Sequence, residues 1–184
     1  MKSIITSLIF LSTIFSIQAR FCYQQDSVKV SWVAFKTPAK AGVKGSLPAT
    51  KLKLNKSSGS LNDILMKSSI SINTKEVATG NKARDKKIAK FFFSTMAGGT
   101  NIQASVTKVT KKMVTLSITM NGKTKKVPMS YEVNNGAFKA KGFIDVLDFS
   151  LNDELSAINK ACKALHEGKT WADVELHLEA NLKC

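Results

Sequence analysis

The sequence predicts an all-β fold with a minor helical part, built as an eight-stranded antiparallel β-barrel, and three observations carry that expectation. Apolar and polar residues alternate strictly in the second half: Val114, Leu116, Ile118 and Met120 interleave with Thr115, Ser117 and Thr119, the period of a half-buried strand. Asn-Gly steps at Asn121-Gly122 and Asn135-Gly136 separate such runs and mark hairpins. Runs of this kind number eight between Val28 and Leu182, enough to close a barrel with room for a small ligand.

The chain of 184 residues opens on an export signal. Lys2 supplies the positive start, Ile4 to Ile17 is apolar but for Ser and Thr, and Ala19 is the small residue at the cleavage point. The run is too short to span a bilayer. Cleavage after Ala19 is expected, removing 1–19 and leaving one domain, 20–184, in the periplasm. Cys22 follows Arg20-Phe21, where a lipid-attachment site would need small residues. Loss of Lys2 lowers the formal net charge from +15 to +14, which draws the protein to anionic surfaces. The lysines are scattered along strand-like segments and not gathered on one helix, so nucleic acid is not an expected partner. Transient contact with an anionic membrane surface is.

Val28, Val30, Trp32 and Ala34 form the first expected strand, and Val43, Gly45 and Leu47 open a second that runs to Leu54. Met66–Asn73 and Asn101–Val109 are the third and fourth. After the fifth, Val114 to Met120, a four-residue loop from Asn121 to Thr124 sets Ile118 opposite Val127, Leu116 opposite Met129 and Val114 opposite Tyr131. Phe138 to Val146 is the seventh strand and Val174 to Leu182 the eighth. One short helix is expected over Lys82 to Lys90. A later one opens at Asn152, carries the stripe Leu151, Leu155, Ile158, Cys162 and Leu165, and ends at Gly168.

Barrel closure pairs the first strand with the last. Placing Cys22 opposite Cys184 sets Val28 against Leu178, Val30 against Leu176 and Trp32 against Val174, so inward positions meet inward positions. A Cys22–Cys184 disulfide is therefore expected at the seam. Cys162, on an apolar helical stripe, is expected as a buried free thiol.

Signs of catalysis are few. Gly122-Lys123-Thr124 and Gly168-Lys169-Thr170 lack the first glycine of a phosphate-binding loop. His166 and His177 are not in metal-ligand spacing, and no GxSxG elbow is present. No catalytic residue, metal or cofactor is expected. Asn81, Arg84 and Asp85 bring an amide, a guanidinium and a carboxylate within two turns after Thr79-Gly80, but by spacing alone they read as a helix start capped by Asn81. Phe91-Phe92-Phe93 reads as core packing.

Taken together, Trp32-Val33-Ala34-Phe35-Lys36-Thr37 with Gly42-Val43-Lys44-Gly45-Ser46-Leu47, then Thr79-Gly80-Asn81 with Arg84-Asp85 and Phe92-Phe93, then Thr119 to Thr124 with Val127-Pro128, resemble the YceI family in order and spacing. The resemblance covers nearly all of the expected mature chain. It implies an extended, lipocalin-like form of the eight-stranded barrel around a long apolar tunnel. It further implies polyisoprenoids or fatty-acid derivatives such as amides as ligands, an exported protein, and a homodimer. It raises Asn81, Arg84 and Asp85 to head-group contacts at the tunnel mouth. Trp32, Ala34, Ile70, Ile72, Phe92, Leu116 and Ile118 are the expected wall. The expected function is that of a carrier, store or scavenger of a long apolar lipid, not an enzyme. The alternatives are a basic docking protein with a filled core and an enzyme acting on isoprenoid phosphates.

Overall fold

The structure, a computed structural model, describes residues 20–184; the expected signal segment lies outside the described residues. The fold is mainly β, with one large curled antiparallel sheet and a few short helices.

The sheet begins with β2 (Lys29–Lys36), β3 (Ala41–Leu47) and β4 (Ala49–Lys53). The single second strand expected from the sequence is divided in two at Pro48, which has no N–H to give to a ladder. β6 (Ser69–Asn73), β7 (Asn101–Val109), β8 (Met113–Met120), β9 (Lys123–Asn134), β10 (Ala137–Asp145) and β11 (Thr170–Asn181) complete it. The hydrogen-bonded order is β3-β2-β11-β10-β9-β8-β7-β6-β4, nine strands. Its two outermost strands, β3 and β4, follow one another in the chain across Pro48 but are not hydrogen-bonded to each other, so the sheet is curled but open between them.

The Asn-Gly turns are tighter than expected. Asn121 has φ 51° and Gly122 φ 70°, the two positive angles of a two-residue type I′ hairpin. Met120 therefore faces Lys123, Leu116 faces Val127 and Val114 faces Met129, two residues away from the register expected for a four-residue loop. An even slip keeps every side chain on its own face, so the apolar pattern alone could not detect it. The same holds at the seam. β2 and β11 pair antiparallel as expected, but with Val30 opposite Leu178, Trp32 opposite Leu176 and Ala34 opposite Val174. The chain leaves the expected path after Cys22, turns at 25–26 and re-enters the sheet only at Lys29.

Cys22 belongs instead to β1 (Phe21–Cys22), which pairs with β5 (Ser58–Gly59) as a separate two-stranded patch over one end of the curl. The Cys22–Cys184 disulfide is present, with Cα atoms 4.7 Å apart, and the Cys22 N–H donates to the Leu182 carbonyl at 3.0 Å. Cys162 is free and buried. Beside this patch lies a helix the sequence reading missed, α1 (Leu61–Leu65). Ser60 and Asp63 form its capping box, an S-x-x-D spacing legible in the sequence. It displaces the start of the expected third strand from Met66 to Ser69.

The opposite end carries α2 (Lys82–Phe91), α3 (Asn152–Ala161) and α4 (Lys163–His166). α2 begins where expected, with Asn81 as its N-cap. The later helix opens at Asn152 as expected, with Asp153 and Glu154 in its first turn, but its N-cap, Leu151, makes no side-chain bond, and it is broken at Cys162 into α3 and α4. Leu151, Ile158 and Cys162 are buried as the stripe requires, whereas Leu165 is 63% exposed. The break turns that last residue of the stripe outward.

Candidate functional site

The inward positions of the curled sheet do not fill its interior. They surround a cavity of about 270 Å³ whose lining runs along β11 from Thr170 to Ala180 and on to Leu182 just beyond it. At ~3.3 Å per residue and a strand tilt of ~40°, that stretch covers roughly 30 Å along the barrel axis.

The wall is made by the alternation read from the sequence. Trp32, Ala34, Ile70, Ile72, Leu116 and Ile118 all line the cavity, and Phe92 closes over it from the end of α2. Trp32 shapes the wall through Gly45: a Cβ added to Gly45 would lie 2.2 Å from the indole. The glycine lets the ring lie flat across β3. The Trp32 Nε1–H is buried without a hydrogen-bond partner.

Polar side chains gather at the end where β2 finishes and β11 begins. Arg84, Lys87, Lys36, His166 and Thr170 line the cavity there, with Phe35 and Trp171. Arg84 is held from behind. Its Nε–H donates to Thr79 Oγ1 at 2.8 Å and its Nη2 to the Thr79 carbonyl at 3.0 Å. The Thr79 hydroxyl in turn donates to Asp85 Oδ1 at 2.5 Å, joined by the Thr79 N–H at 2.9 Å. Asn81 Oδ1 accepts from the Arg84 N–H at 3.0 Å. The structure thus brings Asn81, Arg84 and Asp85 together, but only Arg84 reaches the cavity; Asn81 caps the helix and Asp85 orients Arg84 through Thr79.

Lys36 and Lys87 were not singled out by the sequence reading. Each finds only a backbone carbonyl at 3.4 Å, Leu165 for Lys36 and Ala161 for Lys87. Among the described residues, no carboxylate pairs with Lys36, Arg84 or Lys87 within 4.0 Å (the ion pairs lie elsewhere). His166 sits with them. The Thr170 hydroxyl donates to Asn159 Oδ1 at 2.9 Å and so accepts from His166 Nδ1 at 2.7 Å. That network places the imidazole proton on Nδ1 and leaves Nε2 free. Burial, and then the charges of Lys36 and Lys87, hold the His166 pKa below its ordinary value. The signal that could have found Lys36 was its position at the inward end of a strand. Lys87 needed the three-turn phase of α2 against the barrel, which periodicity alone does not supply. Among the described residues, no group of His, Cys, Asp and Glu side chains is placed to hold a metal.

The YceI-like domain family model matches residues 23–182. The fold is similar to that of Burkholderia cenocepacia BcnA, at 15% identity and a TM-score of 0.53 over 83% of this chain and 94% of that one. It is similar also to a polyisoprenoid binding domain from Saccharophagus degradans implicated in plant cell wall breakdown, at 14% identity and a TM-score of 0.52 over 91% of this chain and 99% of that one. At such identities the likeness speaks for the fold alone. No curated protein matches the chain by sequence.

Proposed function

The chain belongs to the YceI-like domain family, and from that premise we propose that it binds a long apolar lipid, an isoprenoid or fatty-acid derivative, along the barrel cavity. The observation that carries this reading is the unfilled interior: a narrow channel, apolar along its length and cationic at one end. Each methylene moved from water into such a wall contributes roughly 0.8 kcal/mol, so a chain of a dozen carbons binds usefully even after ordering costs. An unfilled interior favours a container over a docking protein with a filled core. A binding role is likewise favoured over chemistry on isoprenoid phosphates, because no carboxylate in the cavity lining joins Arg84, Lys36, Lys87 and the unprotonated His166 Nε2 to complete an acid–base pair. A fold shared with a polyisoprenoid binding domain agrees with this choice of ligand class.

In this reading the protein is a carrier, store or scavenger. The apolar tail lies against Trp32, Ile70, Leu116 and Ile118, and the head lies near Arg84, Lys36 and Lys87. Export to the periplasm, with cleavage after Ala19, and a homodimeric state belong to the same proposal. The test is native mass spectrometry of the purified protein together with mass spectrometry of its organic extract. A stoichiometric or near-stoichiometric long-chain lipid is expected. A protein that carries none, and takes up neither isoprenoid alcohols nor fatty-acid amides on titration, would overturn the reading.

A further inference from the structure

We propose that the end of the barrel formed by Phe35, Leu165 and Trp171 docks on the surface of an anionic lipid bilayer and sets the cavity end against it. The second half of this statement rests on the lipid-binding reading above; the first half does not. Leu165 is the most exposed large apolar side chain among the described residues, at 63%. Its carbonyl accepts from Lys36 Nζ at 3.4 Å, which ties α4 to the end of β2, where the half-buried rings of Phe35 and Trp171 share one lysine. Lys40 Nζ lies 5.2 Å from the Phe35 ring and 5.0 Å from that of Trp171, and Lys169 Nζ lies 4.5 Å from Trp171. The two turns that carry these lysines are joined by the Thr37 N–H donating to the Lys169 carbonyl at 3.0 Å. The Trp171 Nε1–H donates to the Thr37 carbonyl at 2.8 Å, so the indole is held by its polar edge.

The charges favour an anionic partner. Lys36, Lys40, Lys163 and Lys169 lie within a few residues of Phe35, Leu165 and Trp171 along the chain, against Glu167 and Asp173, the latter already paired with Lys40 at 2.7 Å. Trp, Phe and Leu among lysines form a surface suited to the interfacial layer of a membrane, where rings sit at the headgroup level and cations meet lipid phosphates. Location adds the functional link, because Phe35, Lys36, His166, Thr170 and Trp171 also line the cavity. Docking this face would bring the cationic end of the cavity to the headgroups, so that a lipid could pass without crossing water. Phe143, more exposed than either ring at 56%, has a single lysine over it, Lys141 at 5.5 Å, and it does not line the cavity.

The experiment is co-sedimentation with vesicles of phosphatidylcholine alone and of equal parts phosphatidylcholine and phosphatidylglycerol. The expected result is binding to the anionic vesicles only. Lys163→Ala and Lys169→Ala should each weaken it about fivefold, the worth of one lysine at an anionic surface, and Leu165→Ser several-fold. All three side chains are exposed, and circular dichroism checks the fold. The control is Lys111→Ala with Lys112→Ala, in the β7–β8 turn at the opposite end of the strands, which should leave binding unchanged. No binding to anionic vesicles, or an equal loss in the control pair, overturns the proposal, the latter because net charge alone would then act. Sedimentation velocity covers a second copy of the chain as occupant: a dimer abolished by Leu165→Ser with vesicle binding intact would make the patch a self-contact. Organic extraction of each sample separates the two readings. A lipid-laden protein that ignores vesicles ends the docking proposal alone, and a vesicle-binding protein that never holds lipid ends only the cargo reading.

Discussion

Gly45 and Trp32 show how a single missing side chain shapes a channel. The indole occupies the space a Cβ at Gly45 would fill, only 2.2 Å from the ring, and lies flat against the wall. Gly45→Ala should therefore push the indole inward and narrow the channel, at about 1–3 kcal/mol of overpacking. The expected outcome is a lower melting temperature together with weaker uptake of long-chain ligands, read by thermal unfolding and lipid titration; unchanged uptake would mean that the ring escapes elsewhere. At the cationic end, Arg84 is the one member of its trio that reaches the cavity. If it meets the ligand head, Arg84→Ala should weaken a carboxylate-headed ligand by roughly 1.5–3 kcal/mol, the scale of a charged hydrogen bond. A neutral amide of equal chain length should lose less, because only the ionised head is charge-assisted. Matched titrations check this, and equal losses for both ligands would return Arg84 to a purely structural role on Thr79.

At the scale of elements, the helices at the two ends of the barrel respond to pH in different windows. In α1, the Asp63 carboxylate accepts from Lys56 Nζ at 2.7 Å and from Ser60, and these bonds, the lysine first, pull its pKa from 3.8 to about 2. A carboxylate depressed in the folded state stabilises it above the unfolded pKa and loses that contribution as pH falls through the folded value. The capping box of α1 should thus be intact above about pH 4 and fade towards pH 2. Amide exchange of Ile64 and Leu65 across that range should show it, and Asp63→Asn should remove the dependence. At α4 the sign is the same for a different reason. Burial holds His166 below its ordinary pKa, so the neutral ring is the folded form. Its contribution is complete above about pH 6.5 and falls away as acid protonates Nε2. NMR titration of the imidazole should place its midpoint below that of His in an unfolded peptide.

For the whole molecule, the disulfide ties the two ends of the described chain across a separation of 162 residues. In the chain-entropy account, closing so long a loop stabilises the fold by about 5 kcal/mol, less any strain. It also anchors the β1–β5 patch, which Gln24 fastens further by donating from Nε2 to the Lys183 carbonyl at 2.7 Å. Cys22→Ser with Cys184→Ser should lower the unfolding midpoint markedly in denaturant titration. Protease should then enter first near residues 20–28, since the sheet itself is held by its own ladders. Reduction without any change in the midpoint would show that the patch contributes nothing to the global fold.

The sequence by itself determined which faces point inward. Alternation at Val114 to Met120 and at Val174 to Leu182 decides the face of every residue, and the wall residues Trp32, Ile70 and Leu116 follow from it. It also determined the seam cysteines and the start of α2 at Asn81, because a cap and a disulfide pairing depend on a few fixed side chains. What only the tertiary structure decided is everything that an even register slip leaves unchanged, or that depends on how separate elements meet. The registers at Asn121-Gly122 and between β2 and β11 are of the first kind. The gathering of Lys36 from β2, Lys87 from α2 and His166 from α4 around one end of the cavity is of the second. Those residues lie far apart in the chain, only Lys36 is marked alone, by its place at the inward end of a strand, and only the curl of the sheet under its helices gives them a common space.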